Sequence, residues 1–142
     1  ESRLIQFNAE CREIIPGVSE ALRGGDLARV GELVDRSQHY AEQVLENQVA
    51  ETVHLAASAR ELGAIAASAF GAGFGGSVWA MVRRDSADNF VSVWRSIYLA
   101  AFPHHEKRSE FFLTEATDGA REIITATPGP SLARRAQDPR DD

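Results

Sequence analysis

The chain has 142 residues, a formal net charge of −6, 44% hydrophobic and 25% charged residues, and a single cysteine. That length suits one domain with its own core, and an acidic balance with scattered basic residues argues against nucleic acid, whose binding rests on neutralising phosphates. No apolar run approaches the roughly 20 residues of a membrane-spanning helix, and the lone Cys11 excludes an intrachain disulfide and points to a reducing, cytoplasmic setting.

In chain order, Leu4, Phe7, Cys11, Ile14, Val18 and Leu22 recur at helical spacing and predict an amphipathic helix with Cys11 on its core face. Pro16 lies inside that pattern and predicts a kink or break. Gly24-Gly25 closes the segment, and Asp26 reads as the N-cap of a second helix carrying Leu27, Val30, Leu33, Val34, Ala41, Val44 and Leu45. A third helix is predicted from about Ala50 to Leu62, ended by Gly63.

Residues 64–70 and 77–84 are short and apolar at consecutive positions, and read as strands of a covered sheet. Ser86 reads as the cap of a fourth helix through Phe90, Trp94 and Tyr98, closed by Pro103, with Trp79 and Trp94 as core anchors. Phe111-Phe112-Leu113 predict another strand and Asp118-Gly119 a turn. From Thr125 the chain is rich in Pro, Arg, Asp and Ala and reads as a disordered tail, leaving residues 1–124 as the domain. Helices, then strands, then one more helix indicate an α+β fold.

The chemically loaded stretch is Gly71-Ala72-Gly73-Phe74-Gly75-Gly76 between the two strands. Glycines let a ligand approach the main chain, and successive amide N–H groups can form an anion-binding nest. A tight connection between strands would need the same glycines for geometry alone. The string satisfies G-x-G-x-x-G, but a dinucleotide fingerprint requires a helix directly after it, and here a strand follows. The protein-kinase loop fits the strand–loop–strand context but needs a strand lysine downstream, and Lys107, the only lysine, lies beyond a helix. No Lys-Ser or Lys-Thr completes a Walker A pattern.

Other candidates have plainer readings. His104-His105-Glu106 reads as a solvated loop and no metal site is assigned, because adjacent histidines point apart on most backbones. His39 and His54 read as ordinary helix residues, and Asp35, Glu42, Glu46 and Glu51 as solvated helix faces. Arg83-Arg84 ends the second strand facing water. Ser37, Ser58 and Ser68 have no identifiable base with an orienting carboxylate, so no nucleophilic site is assigned.

Phe70 to Val78 resembles the third signature motif of galactokinases and the wider GHMP kinases, commonly TGAGFGGC before a hydrophobic strand. Further similarity lies at Ala21-Leu22, Gly25-Asp26, Gly31-Glu32-Leu33 and Ser37-Gln38. Gln6 and Glu10 match a His and a Glu four apart, and Tyr98, Phe111-Phe112 and Asp118-Gly119-Ala120 are similar to the closing strand and its turn. The resemblance runs from about Arg3 to Ile124. It departs at Phe70 (usually Thr), Ser77 (Cys), Gln38 (His), Gln6 (His) and Ser68 (Arg or Lys), which leaves the sugar open.

The resemblance implies a C-terminal kinase domain with a small antiparallel sheet packed against helices. It also implies that Gly71, Ala72, Gly73, Phe74, Gly75 and Gly76 back the phosphate and substrate site, with Ser68, Phe70 and Ser77 flanking it. ATP, Mg²⁺ and a small-molecule sugar are the expected ligands of the full-length protein, none of them held by this chain alone. The family's serine-rich phosphate loop and its catalytic Asp and Arg have no counterpart in these residues. No catalytic residue is therefore assigned, and an N-terminal kinase domain, on the same or a separate chain, is the implied partner. The alternative is a non-catalytic ligand-sensing or partner-binding protein that keeps the kinase fold.

Overall fold

A computed structural model describes residues 2–117 and 119. It is an α+β arrangement: helices α1 (Ser2–Ala9), α2 (Ile15–Gly24), α3 (Leu27–Gln43) and α4 (Ala50–Glu61) precede strands β1 (Ala66–Phe70) and β2 (Ser77–Met81), and helix α5 (Ala87–Ala101) follows. Short 3-10 turns lie at Arg84–Ser86 and Pro103–His105.

The two strands form an antiparallel hairpin, with Ala66 opposite Met81 and Phe70 opposite Ser77. Alternate residues face opposite sides of a strand, and both sides are covered. Ala66, Trp79 and Met81 pack against Ala21, Val30 and Val34 of α2 and α3. Ala67, Val78 and Ala80 pack with Ala59, Ala64 and Trp94 on the α4–α5 side. The preponderance of alanine in β1 follows from this position, because small side chains let helices approach the strand from both sides. Trp94 anchors the second layer, donating its indole N–H to Leu55 O at 3.1 Å and to Ser58 Oγ at 3.2 Å. Trp79 is only half-buried.

The expected break at Pro16 does not occur. A π-helical turn, Glu10–Ile14, joins α1 to α2 without interruption. The ring of Pro16 would clash with the carbonyl of Arg12 in an ordinary α-helix, and widening the ladder at that point relieves the conflict. The amphipathic stripe of this long helix is also only partly covered. Ala9 and Ile14 are buried against Leu33, whereas Leu4, Phe7, Cys11, Ile15 and Leu22 are exposed. Cys11 is therefore a surface thiol, contrary to its expected core role.

Asp26 caps α3 as expected, accepting from the Arg29 N–H at 3.0 Å. Ser86 precedes α5 but makes no side-chain cap, donating instead to Arg83 O at 3.1 Å. Residues 111–113 form no strand. Phe111 packs on Trp94 and Tyr98, with ring centroids 5.3 and 5.7 Å away, so its apolar character serves the α5 layer rather than a sheet ladder. The predicted turn at Asp118-Gly119 and the tail from Thr125 fall largely outside the described residues.

One charged residue ties the layers together. Arg60 of α4 grips Asp35 of α3 with two parallel bonds, Nε to Oδ1 at 2.8 Å and Nη2 to Oδ2 at 2.9 Å. Its Nη1 donates to Ala64 O and, at 2.6 Å, to Ile65 O. A planar guanidinium suits such a two-sided role. Gly31 makes room for it: a Cβ there would overlap Ile65 O and come within 3.1 Å of the Arg60 guanidinium. Replacing Gly31 with Ala should therefore cost about 1–3 kcal/mol, as overpacking does, measurable as a lower midpoint in chemical denaturation.

Candidate functional site

The glycine-rich segment closes the β1–β2 hairpin beyond the pair Phe70–Ser77. Gly71, Gly73, Gly75 and Gly76 all have φ between 90° and 114°, the left-handed half of backbone space that residues with a Cβ seldom occupy. The loop does not stand free. It docks on the α3–α4 connection through Asn47, whose backbone carbonyl accepts the Phe74 N–H at 2.5 Å and whose side-chain amide donates to Ala72 O at 3.3 Å.

Gly73 lies at the contact. A Cβ on it would overlap Asn47 O and sit 2.7 Å from the Asn47 side-chain amide. The positive-φ residues other than glycine among the described residues are Glu46, at φ 51°, and Phe74, at φ 61°. They stand beside Asn47 and Gly73, one on each side of the dock. A bulky residue in this region costs of order 1–3 kcal/mol and persists where surrounding structure fixes it. Phe74 thus presents an exposed ring, 74% accessible, and Phe70 a second at 59%, flanking a glycine backbone. Because Phe74 spends its N–H on Asn47, that amide is not available to an anion.

Asn47 is itself braced. Its N–H donates to Ala41 O at 3.2 Å and its Oδ1 accepts from Gln48 Nε2 at 3.0 Å. Thr52 Oγ1 donates to Gln48 Oε1 at 2.9 Å and accepts from the Val49 N–H at 3.2 Å. The sequence offers no motif that would have paired Asn47 with the loop.

Behind the loop, two positions singled out separately in the sequence form one buried pair. Gln38 Oε1 accepts from Ser68 Oγ and from the Ala69 N–H, both at 2.9 Å, and its Nε2 donates to Glu42 at 2.7 Å. Gln6 and Ser37 meet at Glu10, Ser37 Oγ donating at 2.5 Å and Gln6 Nε2 at 3.4 Å. Glu10, Ser37 and Ser68 from these networks line an open groove of about 480 Å³ between α2, α3 and the hairpin, with Ile15, Leu22 and Trp79 among its apolar walls. Ser68 thus lines the groove, while Phe70 and Ser77 face each other as the last pair of the hairpin and are exposed.

Several residues read as solvated are engaged. Asp35 holds Arg60, Glu42 holds Gln38, and Glu51 meets His105 Nε2 at 3.2 Å. The Glu51 carboxyl is held below the usual carboxylate range by the hydrogen bond from its own backbone N–H and then by His105. His39 is exposed, whereas His54 stacks edge-on against Phe102 at 5.4 Å. Arg83 is exposed beside the strand end, and Arg84 pairs with Glu115 at 2.8 Å.

The family described as "GHMP kinases C terminal" matches residues 18–100. A galactokinase of Lactobacillus helveticus is 31% identical over 108 residues, 74% of this chain and 26% of that protein. A galactokinase of Pyrococcus furiosus is 30% identical over 118 residues, 83% of this chain and 32% of that protein. The chain thus spans about a quarter to a third of the length of these relatives.

Two variants probe this geometry. Gln38→Leu leaves the Ala69 N–H without its acceptor and the Ser68 hydroxyl with only Ala69 O, and should cost about 1–3 kcal/mol in denaturant unfolding. Asn47→Gly removes the side-chain half of the dock, and backbone amide exchange in residues 71–76 should then accelerate while β1 and β2 exchange as before.

Proposed function

The chain belongs to the GHMP kinases, as a galactokinase-like C-terminal domain, and from that footing we propose that it serves an ATP-dependent sugar kinase by supplying the glycine loop that backs the phosphate and substrate site. The observation that carries the reading is the docked loop, a glycine backbone fixed on Asn47 through the Phe74 N–H and the Ala72 carbonyl. Phosphoryl transfer depends chiefly on positioning and electrostatic stabilisation, to which a fixed backbone contributes without side-chain chemistry.

The loop residues Gly71–Gly76 bring amides and one aromatic ring but no carboxylate. A group to hold Mg²⁺ is therefore assigned, with the catalytic base and the main ATP-phosphate loop, to an N-terminal kinase domain. The exposed Leu4, Ile5 and Phe7 of α1 offer an apolar face suited to such a domain. Within this chain, the amides of Gly71, Gly73, Gly75 and Gly76 would steady transferring charge, and Phe70 and Phe74 would exclude water from the loop's open side.

The departures from the family pattern do not read as decay. Gln38 and Ser68, two of the unusual positions, are hydrogen-bonded to each other, so one change accommodates the other. Ser68 lines the groove, where the pair suits an altered sugar better than a lost activity. No helix among the described residues is long and apolar enough to cross a membrane, and a cytoplasmic enzyme is the setting we propose.

The test is an ATP-consumption assay of the complete protein against a panel of free sugars, beside Gly73→Val. A valine cannot occupy the dock, so turnover should fall about 10²-fold or more with the far-ultraviolet circular dichroism unchanged. Unaltered turnover in Gly73→Val would sink the loop's role. Binding of sugar or nucleotide by the wild type without ATP consumption would favour the ligand-sensing alternative.

A further inference from the structure

The segment after α5 folds back onto the first turn of α4. There the side chains of Glu51, His104 and His105 bring one ligand atom each to within 4.8 Å of one another. The histidines are adjacent in sequence, yet the 3-10 turn Pro103–His105 holds their rings on one side, with centroids 4.1 Å apart and planes tilted by 45°. Glu51 comes from a different element, its Oε1 3.2 Å from His105 Nε2. The rings thus do not diverge and a third donor lies beside them, the two premises on which the solvated-loop reading rested.

The turn is firmly placed. Tyr98 and Phe102 pack on the His105 ring at centroid distances of 6.4 and 6.3 Å, and the Ser109 hydroxyl donates to His105 O at 3.0 Å. His105 and Glu51 are half-buried and His104 is exposed, so the cluster opens to solvent on one side. One helical turn beyond Glu51, the buried Nε2 of His54 has no hydrogen-bond partner among the described residues.

We propose that Glu51, His104 and His105 form a binding site for a divalent transition-metal ion of the zinc type, which staples the segment after α5 to α4. Two imidazoles and a carboxylate are a donor set that favours borderline ions such as Zn²⁺ over Mg²⁺ or Ca²⁺, which prefer all-oxygen shells. Ligand atoms about 2.0–2.2 Å from a tetrahedral ion lie about 3.3–3.6 Å apart, close to the 3.2 Å between Glu51 Oε1 and His105 Nε2. His104, on the open side, closes the set by a side-chain rotation, and the fourth position faces solvent. The site links residues far apart in sequence, so an ion held there favours the folded state by mass action.

The probe is Zn²⁺ itself, titrated into the complete, tag-free protein in competition with a chromophoric chelator, with Co²⁺ substitution as an optical readout. Wild type and Glu51→Gln, His104→Ala and His39→Ala variants are compared, His39 being exposed and distant in sequence. The expected result is a Zn²⁺ site whose affinity falls about 10-fold or more in both ligand variants and is unchanged in His39→Ala. Zn²⁺ should raise the melting temperature of the wild type but not of His104→Ala, and the Co²⁺ bands should vanish with Glu51→Gln. Equal Zn²⁺ affinity and equal Co²⁺ spectra in wild type and both ligand variants would overturn the proposal. His104→Ala keeps that outcome readable, because an exposed side chain can be truncated without cost to the fold.

Discussion

The contact between Asn47 and the glycine loop is the constraint on which the candidate site depends. A loop of glycines has, left to itself, more accessible conformations than any other segment of its length. A backbone that adopts one conformation before a ligand arrives has already lost that entropy, and a preorganised donor array is worth far more than a flexible one. Here the ordering comes from two hydrogen bonds to Asn47 and from the absence of a Cβ at Gly73, which lets the two backbones meet. The left-handed conformations of Glu46 and Phe74 on either side indicate that the meeting is held under some strain.

The rest of the architecture keeps both partners of that contact in place. The loop is the end of a hairpin whose alanine-rich strand is clasped between two helical layers. Asn47 belongs to the connection between α3 and α4, the helices that contact the strand directly. Arg60 fixes those helices to each other and to the start of β1 through Asp35, Ala64 and Ile65. Gln38 then ties α3 to β1 close to the loop. The polar bonds that cross the layers therefore converge on the strand that carries the site.

Much of this was legible in the residues. The helix ends at Gly25, Asp26 and Gly63, and the two strands around the glycines, follow from local backbone chemistry, and they fall where the sequence indicates. The family resemblance likewise rests on ordered matches through most of the chain. What the sequence could not convey were contacts between distant segments. Asn47 carries no local mark of its role, and the pairing of Gln38 with Ser68 needs the fold to bring them together. The π turn before Pro16 escaped because a proline inside an apolar stripe ordinarily signals a break. Phe111 and Phe112 suggested a strand by composition, yet one of them packs on Trp94 and the other is exposed. Adjacent histidines looked unable to converge until a 3-10 turn aligned them and α4 supplied Glu51.

On the proposed function, the docked glycine loop lies where nucleotide phosphates and sugar meet. Hydrogen–deuterium exchange of the complete protein, with and without a non-hydrolysable ATP analogue and an accepted sugar, addresses it directly. Slower exchange is expected in the peptide spanning residues 70–77 when both ligands are bound. Ligand-induced protection elsewhere, with that peptide exchanging at its unliganded rate, would contradict it.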